Sequence, residues 1–284
     1  MTIKTVGTIL DGLIPRLEKT SDTPGLDAQV ILARVKGKPR SWGAAHPEAS
    51  LTRDQSTALE AMVIRLEKGE PLPYVLGCWE FFGLEFEVTP DVLIPRPETE
   101  MLVERVLAWL RERGKGEVRV LDVGTGSGCI AISLAVNVAG LCVTATDISP
   151  RALAVARRNA EKNHVSDRVI FLEADLVSGL LSPDSFDLIV ANLPYIPTKT
   201  LHRLPIYGHE PTVALDGGVD GMVLIRKLLS LTPDLLTPGG LLLMELEASE
   251  GPAALSLAYN AFTGAEVHLH KDLAGRDRLL EVQV

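Results

Sequence analysis

The chain has 284 residues, 46% hydrophobic and 23% charged, enough for a sizeable core and more than one usual domain. Its net charge of −9 lies wholly after residue 80: residues 1–80 carry 10 Lys/Arg and 10 Asp/Glu, residues 81–284 carry 18 and 27. A protein that grips nucleic acid by its phosphates needs a basic surface, so this balance argues against a nucleic-acid substrate.

Residues 1–72 read as a small helical bundle. Ile3, Val6, Ile9, Leu10, Leu13 and Leu17 fall on one helical stripe, and Leu26, Val30, Ile31 and Val35 mark a second helix ending near Gly37. A third opens at Thr52, with Gln55 at capping-box spacing, and buries Leu59, Met62, Val63 and Leu66. Residues 73–96 read as a linker: "EPLPYVLG" is proline-rich, and "WEFFGLEFEV" predicts two short strands turning at Gly83. From residue 97 an acidic first turn (Glu98, Glu100) suits a helix start.

Beyond Val118, strands and helices alternate: "VRVLDVG", "SGCIAISLAV", "LCVTATD", "SPRALAVARRNAEKN" with Ser149 as N-cap, "VIFLEAD" and "FDLIVAN". A helix over roughly 222–236, the strand "GGLLLMEL", and a closing helix, strand and strand complete the chain. The pattern predicts an α/β fold over 97–284, a parallel sheet with helices on both faces. Cys78, Cys129 and Cys142 are far apart with no CxxC, and no HExxH occurs, so neither disulfides nor a metal site are expected. No stretch approaches roughly 18 uninterrupted apolar residues and the N-terminus has a helical period, which predicts a cytoplasmic protein without a membrane segment.

The loop "LDVGTGSG" joins the first strand of this region to its helix, and Gly124, Gly126 and Gly128 let the backbone turn sharply and approach a ligand. The spacing is GxGxG, with Cys129 where the third glycine of a dinucleotide loop would fall. Asp147 ends the next strand, 23 residues after Gly124, where a carboxylate can accept from both hydroxyls of a ribose. Asp175, closing "EAD", is placed to accept from an adenine amino group.

Asn192–Tyr195 ("NLPY") follows the fourth strand and decides for S-adenosylmethionine. An amide or aromatic amine delocalises its lone pair and is a poor nucleophile, so the enzyme must hold the nitrogen in line and exclude water. The side-chain oxygen of Asn192 and the backbone carbonyl of Leu193 can take its two N–H groups, and Tyr195 offers a flat stacking face. This chemistry needs neither a metal nor a strong general base. It fits an adenine amine of RNA or DNA as readily as a glutamine side chain, and NLPY resembles the ribosomal-RNA adenine dimethyltransferases.

The stretch "GCWEFFGLEFEVTPDVLIPRPETEMLVE" separates the two. With "LDVGTGSGCIAISLA", "EPTVALDGGVDGM", "TPGGLLLMEL" and "KDLAGRDR", it resembles the HemK/PrmC family of protein-(glutamine-N5) methyltransferases over nearly the whole chain. The resemblance implies a helical N-terminal bundle that docks the partner, a β-hairpin linker, and a Rossmann-like S-adenosylmethionine-dependent methyltransferase domain. It implies methylation of the glutamine in the Gly-Gly-Gln (GGQ) loop of class I peptide-chain release factors, by a chain that need not exceed a monomer. By match to the family motifs, Gly124, Thr125, Gly126, Ser127, Gly128, Asp147, Asp175, Leu176 and Asn192 face the cofactor, and Asn192, Leu193, Pro194 and Tyr195 hold the glutamine amide. Arg96, Pro97 and Glu98 shape the mouth of the site. The chain departs from the family at Leu193, usually proline, at Leu176, commonly aromatic, and at Glu247, usually glycine. The segment His202–Gly218 has the length, prolines and glycines of a lid.

Overall fold

A computed structural model describes residues 5–114, 116–180, 182–183 and 185–284. Ile3 of the first helical stripe lies outside them. The chain forms two compact units that divide after Cys78. In the first, α1 (Val6–Leu17) opens on Thr5, whose hydroxyl accepts from the Thr8 N–H, and buries Val6, Leu13 and Leu17. Helix α2 (Pro24–Lys36) starts on a proline and stops at Gly37, which takes the left-handed φ of 61°. Its inward face is Ala28, Ile31, Leu32 and the half-buried Val35, a helical i, i+3, i+4, i+7 set. Leu26 lies off that set and is exposed, unlike the sequence expectation.

After the short α3 (Ser41–Ala45), α4 (Arg53–Glu67) carries the expected capping box, with Thr52 and Gln55 exchanging side-chain and backbone hydrogen bonds. The stretch read as a linker instead forms α5 (Leu72–Leu76), with Pro73, Tyr74 and Val75 buried. Proline is tolerated in a first helical turn. The Arg65 guanidinium donates to the Tyr74 and Val75 carbonyls (3.0 and 3.2 Å), satisfying groups the short helix leaves open.

A hairpin of β1 (Cys78–Phe81), whose first residue closes the first unit, and β2 (Leu84–Glu87) follows. Its two-residue turn, Phe82–Gly83, has φ of 51° and 71°, the positive pair that such hairpins need. Asn159 ties the hairpin down, accepting from the Glu87 N–H and donating to its carbonyl. An extended run then reaches a 3₁₀ turn (Pro97–Thr99) and α6 (Glu100–Arg113).

The α/β region runs β3 (Arg119–Val123), α7 (Cys129–Asn137), β4 (Cys142–Asp147), α8 (Pro150–Lys162) and β5 (Val169–Glu173). It continues through β6 (Phe186–Ala191), α9 (Thr198–Leu201), α10 (Val223–Leu231) and β7 (Leu236–Glu245). Helix α11 (Gly251–Ala261), β8 (Glu266–Lys271) and β9 (Asp277–Gln283) close the chain. Helix α10 stops at Leu231, short of the predicted 236, and Leu236 already belongs to β7.

The strand order is β5-β4-β3-β6-β7-β9-β8. The first five are parallel, but β9 pairs antiparallel with both β7 and β8, so the sheet is mixed where a parallel one was expected. Strand alternation divides the core. Val120, Leu188, Val190 and Leu243 pack with α6 and α7, whereas Leu121, Ile189, Leu242 and Met244 pack with α10 and α11. The chain leaves β3 toward β4 and β5, then returns to β6 on its other side. That reversal opens a crevice at the carboxyl ends of the strands, where open α/β sheets bind ligands.

Candidate active site

A cleft of about 350 Å³ lies at that reversal, lined by Gly124, Gly126, Asp147, Ile148, Asp175, Leu176 and Asn192–Pro194, among others. Its floor is the glycine loop. Gly124, Gly126 and Gly128 have φ of 75°, 56° and 82°, which an L side chain rarely adopts. A Cβ on Gly126 would meet no protein atom within 4 Å, so a side chain there would take up cleft space. Thr125 and Ser127 are buried and serve the loop from behind: the Thr125 hydroxyl donates to Asp122 (2.6 Å), and the Ser127 carbonyl accepts from Asn159 (2.9 Å). Asp122 is enclosed, with its carboxyl pushed up to about 7 by burial.

Asp147 ends β4 at the cleft wall. Its two carboxylate oxygens accept from the N–H groups of Ser149 and Gly126, both at 2.8 Å, which fixes the carboxylate and leaves lone pairs toward the cleft. Burial raises this carboxyl above its ordinary range, opposed by those N–H groups. Asp175 also borders the cleft but from its exposed edge: β5 ends at Glu173, and Asp175 lies in the loop beyond, paired to Lys227 at 2.5 Å. Leu176 is buried against the cleft with a φ of 55°, and its carbonyl accepts from Thr146 (2.9 Å). The loop, Asp147 and the apolar wall at Ile148 and Leu176 suit an adenosyl group bearing a ribose diol.

Asn192 follows β6 directly. Its amide nitrogen donates to the Thr99 hydroxyl (3.0 Å), and among the described residues neither its side-chain oxygen nor the Leu193 carbonyl receives a hydrogen bond. Leu193 is buried, its Cδ2 3.1 Å from where a Gly124 Cβ would stand, so loop and turn touch. Asn192, Leu193 and Pro194 also line a second cavity of about 30 Å³ with Tyr195 and Arg96. The sequence-predicted residues thus form a wall between the cleft on one side and the Tyr195 pocket on the other. The Tyr195 phenol is pushed up to about 12, first by burial and then by Glu245, so it stays protonated.

The turn is buttressed from residues 210–221. Ile196 donates to the Leu215 carbonyl and accepts from the Gly217 N–H, a short parallel bridge. Glu210 is buried, accepting from the Ile94 N–H (3.0 Å) and from Arg96 (2.6 Å). The segment expected to be a lid is therefore pinned at Glu210, and its exposed apolar groups before that point are Leu204 and Tyr207. Arg96 holds Glu210, while Pro97 and Glu98 stand exposed.

Sequence reasoning missed Thr99, Glu245 and Gly217. Thr99 and Glu245 are both buried, and the Thr99 hydroxyl donates to Glu245 (2.6 Å). Burial pushes the Glu245 carboxyl up to about 7. Glu247, unexplained from sequence, caps the turn into α11: it accepts from the Ser249 N–H at 2.7 Å with φ of −75°, so no glycine is needed. Among the described residues no group of three or more His, Cys, Asp or Glu could hold a metal ion, and no helix is long and apolar enough to cross a membrane.

Known proteins resemble this chain in both of its units. Residues 9–77 match the PrmC N-terminal domain, and residues 99–202 match the ribosomal protein L11 methyltransferase (PrmA) family. The chain is 40% identical to the release factor glutamine methyltransferase of Bordetella pertussis, over 90% of this chain and 93% of that one. It is likewise 40% identical to that of Coxiella burnetii, over 93% and 94%. In fold it resembles the N-terminal domain of human METTL16 in complex with SAH, with a TM-score of 0.52 and 17% identity over 88% of this chain and 93% of that one. With 40% identity across nine-tenths of its length to curated relatives, the chain belongs to the release factor glutamine methyltransferases.

Proposed function

We propose that the chain transfers the methyl group of S-adenosylmethionine to the side-chain amide nitrogen, N5, of the glutamine in the GGQ loop of class I peptide-chain release factors. The observation that carries this reading is the pair of acceptors at the end of β6, Asn192 Oδ1 and the Leu193 carbonyl, neither with an internal donor among the described residues. A primary amide has two N–H donors on one nitrogen, and two such acceptors hold it by both.

Bound in the cleft, S-adenosylmethionine supplies an electrophilic methyl on a sulfonium. The protein's role is placement. Gly124–Gly128 and Asp147 hold the adenosyl end, and the Asn192–Tyr195 turn holds the amide plane with its nitrogen toward the cleft. Two acceptors draw electron density onto the nitrogen, Asn192 Oδ1 keeps one N–H engaged while positive charge develops, and the acidic N-methylated amide then gives up one proton to solvent. Tyr195 stacks on the planar amide, and the buried Leu193 keeps water from its edge. Such placement is worth many orders of magnitude when nucleophile and electrophile are held in line. The helical unit ending at Cys78 serves as the docking surface for the release factor, and one copy of the chain supplies every residue of the site.

The test uses methyl-labelled S-adenosylmethionine with a purified release factor, its Gly-Gly-Ala variant and unmethylated small-subunit ribosomal RNA. One methyl on the glutamine side chain, absent from the Gly-Gly-Ala variant, is expected. Label on RNA adenine would overturn the reading in favour of an adenine-N6 methyltransferase.

A further inference from the structure

We propose that Thr99 and Glu245 are positioning residues for methyl transfer, holding Asn192 in the one amide orientation that presents its oxygen to the substrate. The inference rests on the reading that Asn192 clamps the glutamine amide. Asparagine is nearly symmetric in shape, and its two ends differ only in hydrogen bonding. Rotated by half a turn, Asn192 would offer an NH2 group to the substrate's NH2 group, and two donors would face each other. Something must forbid that rotation.

The Thr99 hydroxyl does so. It has a single proton, and once the pH is above about 7 and Glu245 is ionised, its carboxylate can only accept, so Glu245 Oε2 takes that proton at 2.6 Å. The hydroxyl oxygen then has only lone pairs for Asn192, so the group facing it at 3.0 Å must be the NH2. The side-chain oxygen is thereby turned to the other side. Each link spans the chain: Thr99 lies 93 residues from Asn192 and 146 from Glu245. Thr99 is 2% exposed and Glu245 3%, and neither lines the cleft or the Tyr195 pocket, so both act through Asn192. The RPETE segment acquires a purpose. Its 3₁₀ turn, closed by the Thr99 N–H donating to the Arg96 carbonyl, delivers the Thr99 hydroxyl to Asn192.

The test measures kcat, and KM for the GGQ release factor, in full-length protein with saturating S-adenosylmethionine. Thr99→Val keeps the shape and removes the hydroxyl. It should lower kcat by about 10- to 100-fold with KM within about threefold, and Thr99→Ser should stay within about threefold of the wild type. Added to Asn192→Ala, Thr99→Val should cause no further loss, because its effect passes through the side chain already removed. Should Thr99→Val fail to fold, Glu245→Gln carries the test, since its amide can offer Thr99 a donor or an acceptor: kcat should fall severalfold, again with no added loss on Asn192→Ala. A wild-type kcat in the variant that folds, or a loss that adds to that of Asn192→Ala, would overturn the relay while leaving the proposed reaction intact. A wild-type protein that leaves the glutamine unmethylated would overturn both.

Discussion

Gly217 has an ordinary φ, yet the substrate turn leaves no room for a side chain there. A Cβ at this position would stand 2.4 Å from the Gly221 carbonyl oxygen, 2.7 Å from Tyr195 Cα and 2.8 Å from Gly221 Cα. All three are backbone atoms, so no rotamer change relieves the clash. Reaching ordinary contact at 3.4 Å requires about 0.7 Å of retreat at Tyr195 and about 1 Å at Gly221. Tyr195 borders the amide pocket, and a misplacement of about 1 Å can cost on the order of 100-fold in rate. The overpacking itself costs about 1–3 kcal/mol, or several degrees in Tm for a unit of this size. Gly217→Ala should therefore fold, melt a few degrees lower, bind S-adenosylmethionine within about fivefold of wild type by calorimetry, and lose roughly 100-fold in kcat on a release factor. A variant with wild-type kcat would refute the claim that residues 210–221 set the position of Tyr195.

Glu245 is pushed up to about 7 when folded against 4.5 as its ordinary value, so the folded state keeps a proton the unfolded chain releases. Its contribution to stability is thus fullest below pH 4.5 and is lost as pH rises to about 7, on the order of 3 kcal/mol. Glu245→Gln should flatten the fall in urea midpoint across that window, and an unchanged slope would contradict the burial argument. Leu193→Pro should leave activity within several-fold, because the residue offers a backbone carbonyl that proline also has; a loss beyond about 100-fold would mean the turn has a different geometry. Asp147→Ala should weaken S-adenosylmethionine binding by about tenfold or more in calorimetry, removing the ribose acceptor and the partner of two loop N–H groups. Unchanged affinity would place the ribose elsewhere.

What the sequence disclosed was what is local. The glycine loop, Asp147 at a strand end, the Ser149 cap and the Thr52 box are each written within a few residues, where backbone chemistry dictates the pattern. Asn192 was legible because an amide, a proline and an aromatic ring interrupt a buried strand at its carboxyl end. The Thr99–Glu245 link was not, since neither residue is unusual alone and only the fold brings them within 2.6 Å. Gly217 reads as one glycine among several until Tyr195 is seen against it. Two prolines made residues 70–77 look like a linker, although proline also suits a first helical turn, and Arg65 supplies the donors that a lone helical turn lacks. The antiparallel edge followed from the tight turn between β8 and β9, which strand–helix alternation upstream does not foretell.

Asn192 is the clamp for the substrate amide in the proposed reaction, and replacing it with alanine tests that role most directly. With a GGQ release factor as substrate, Asn192→Ala should lower kcat by on the order of 100-fold or more, the loss expected for an orienting contact realised in the transition state. Calorimetry on the same variant should find S-adenosylmethionine affinity within a few-fold of wild type. If affinity and turnover fell together, Asn192 would be a cofactor ligand and the clamp would be wrong.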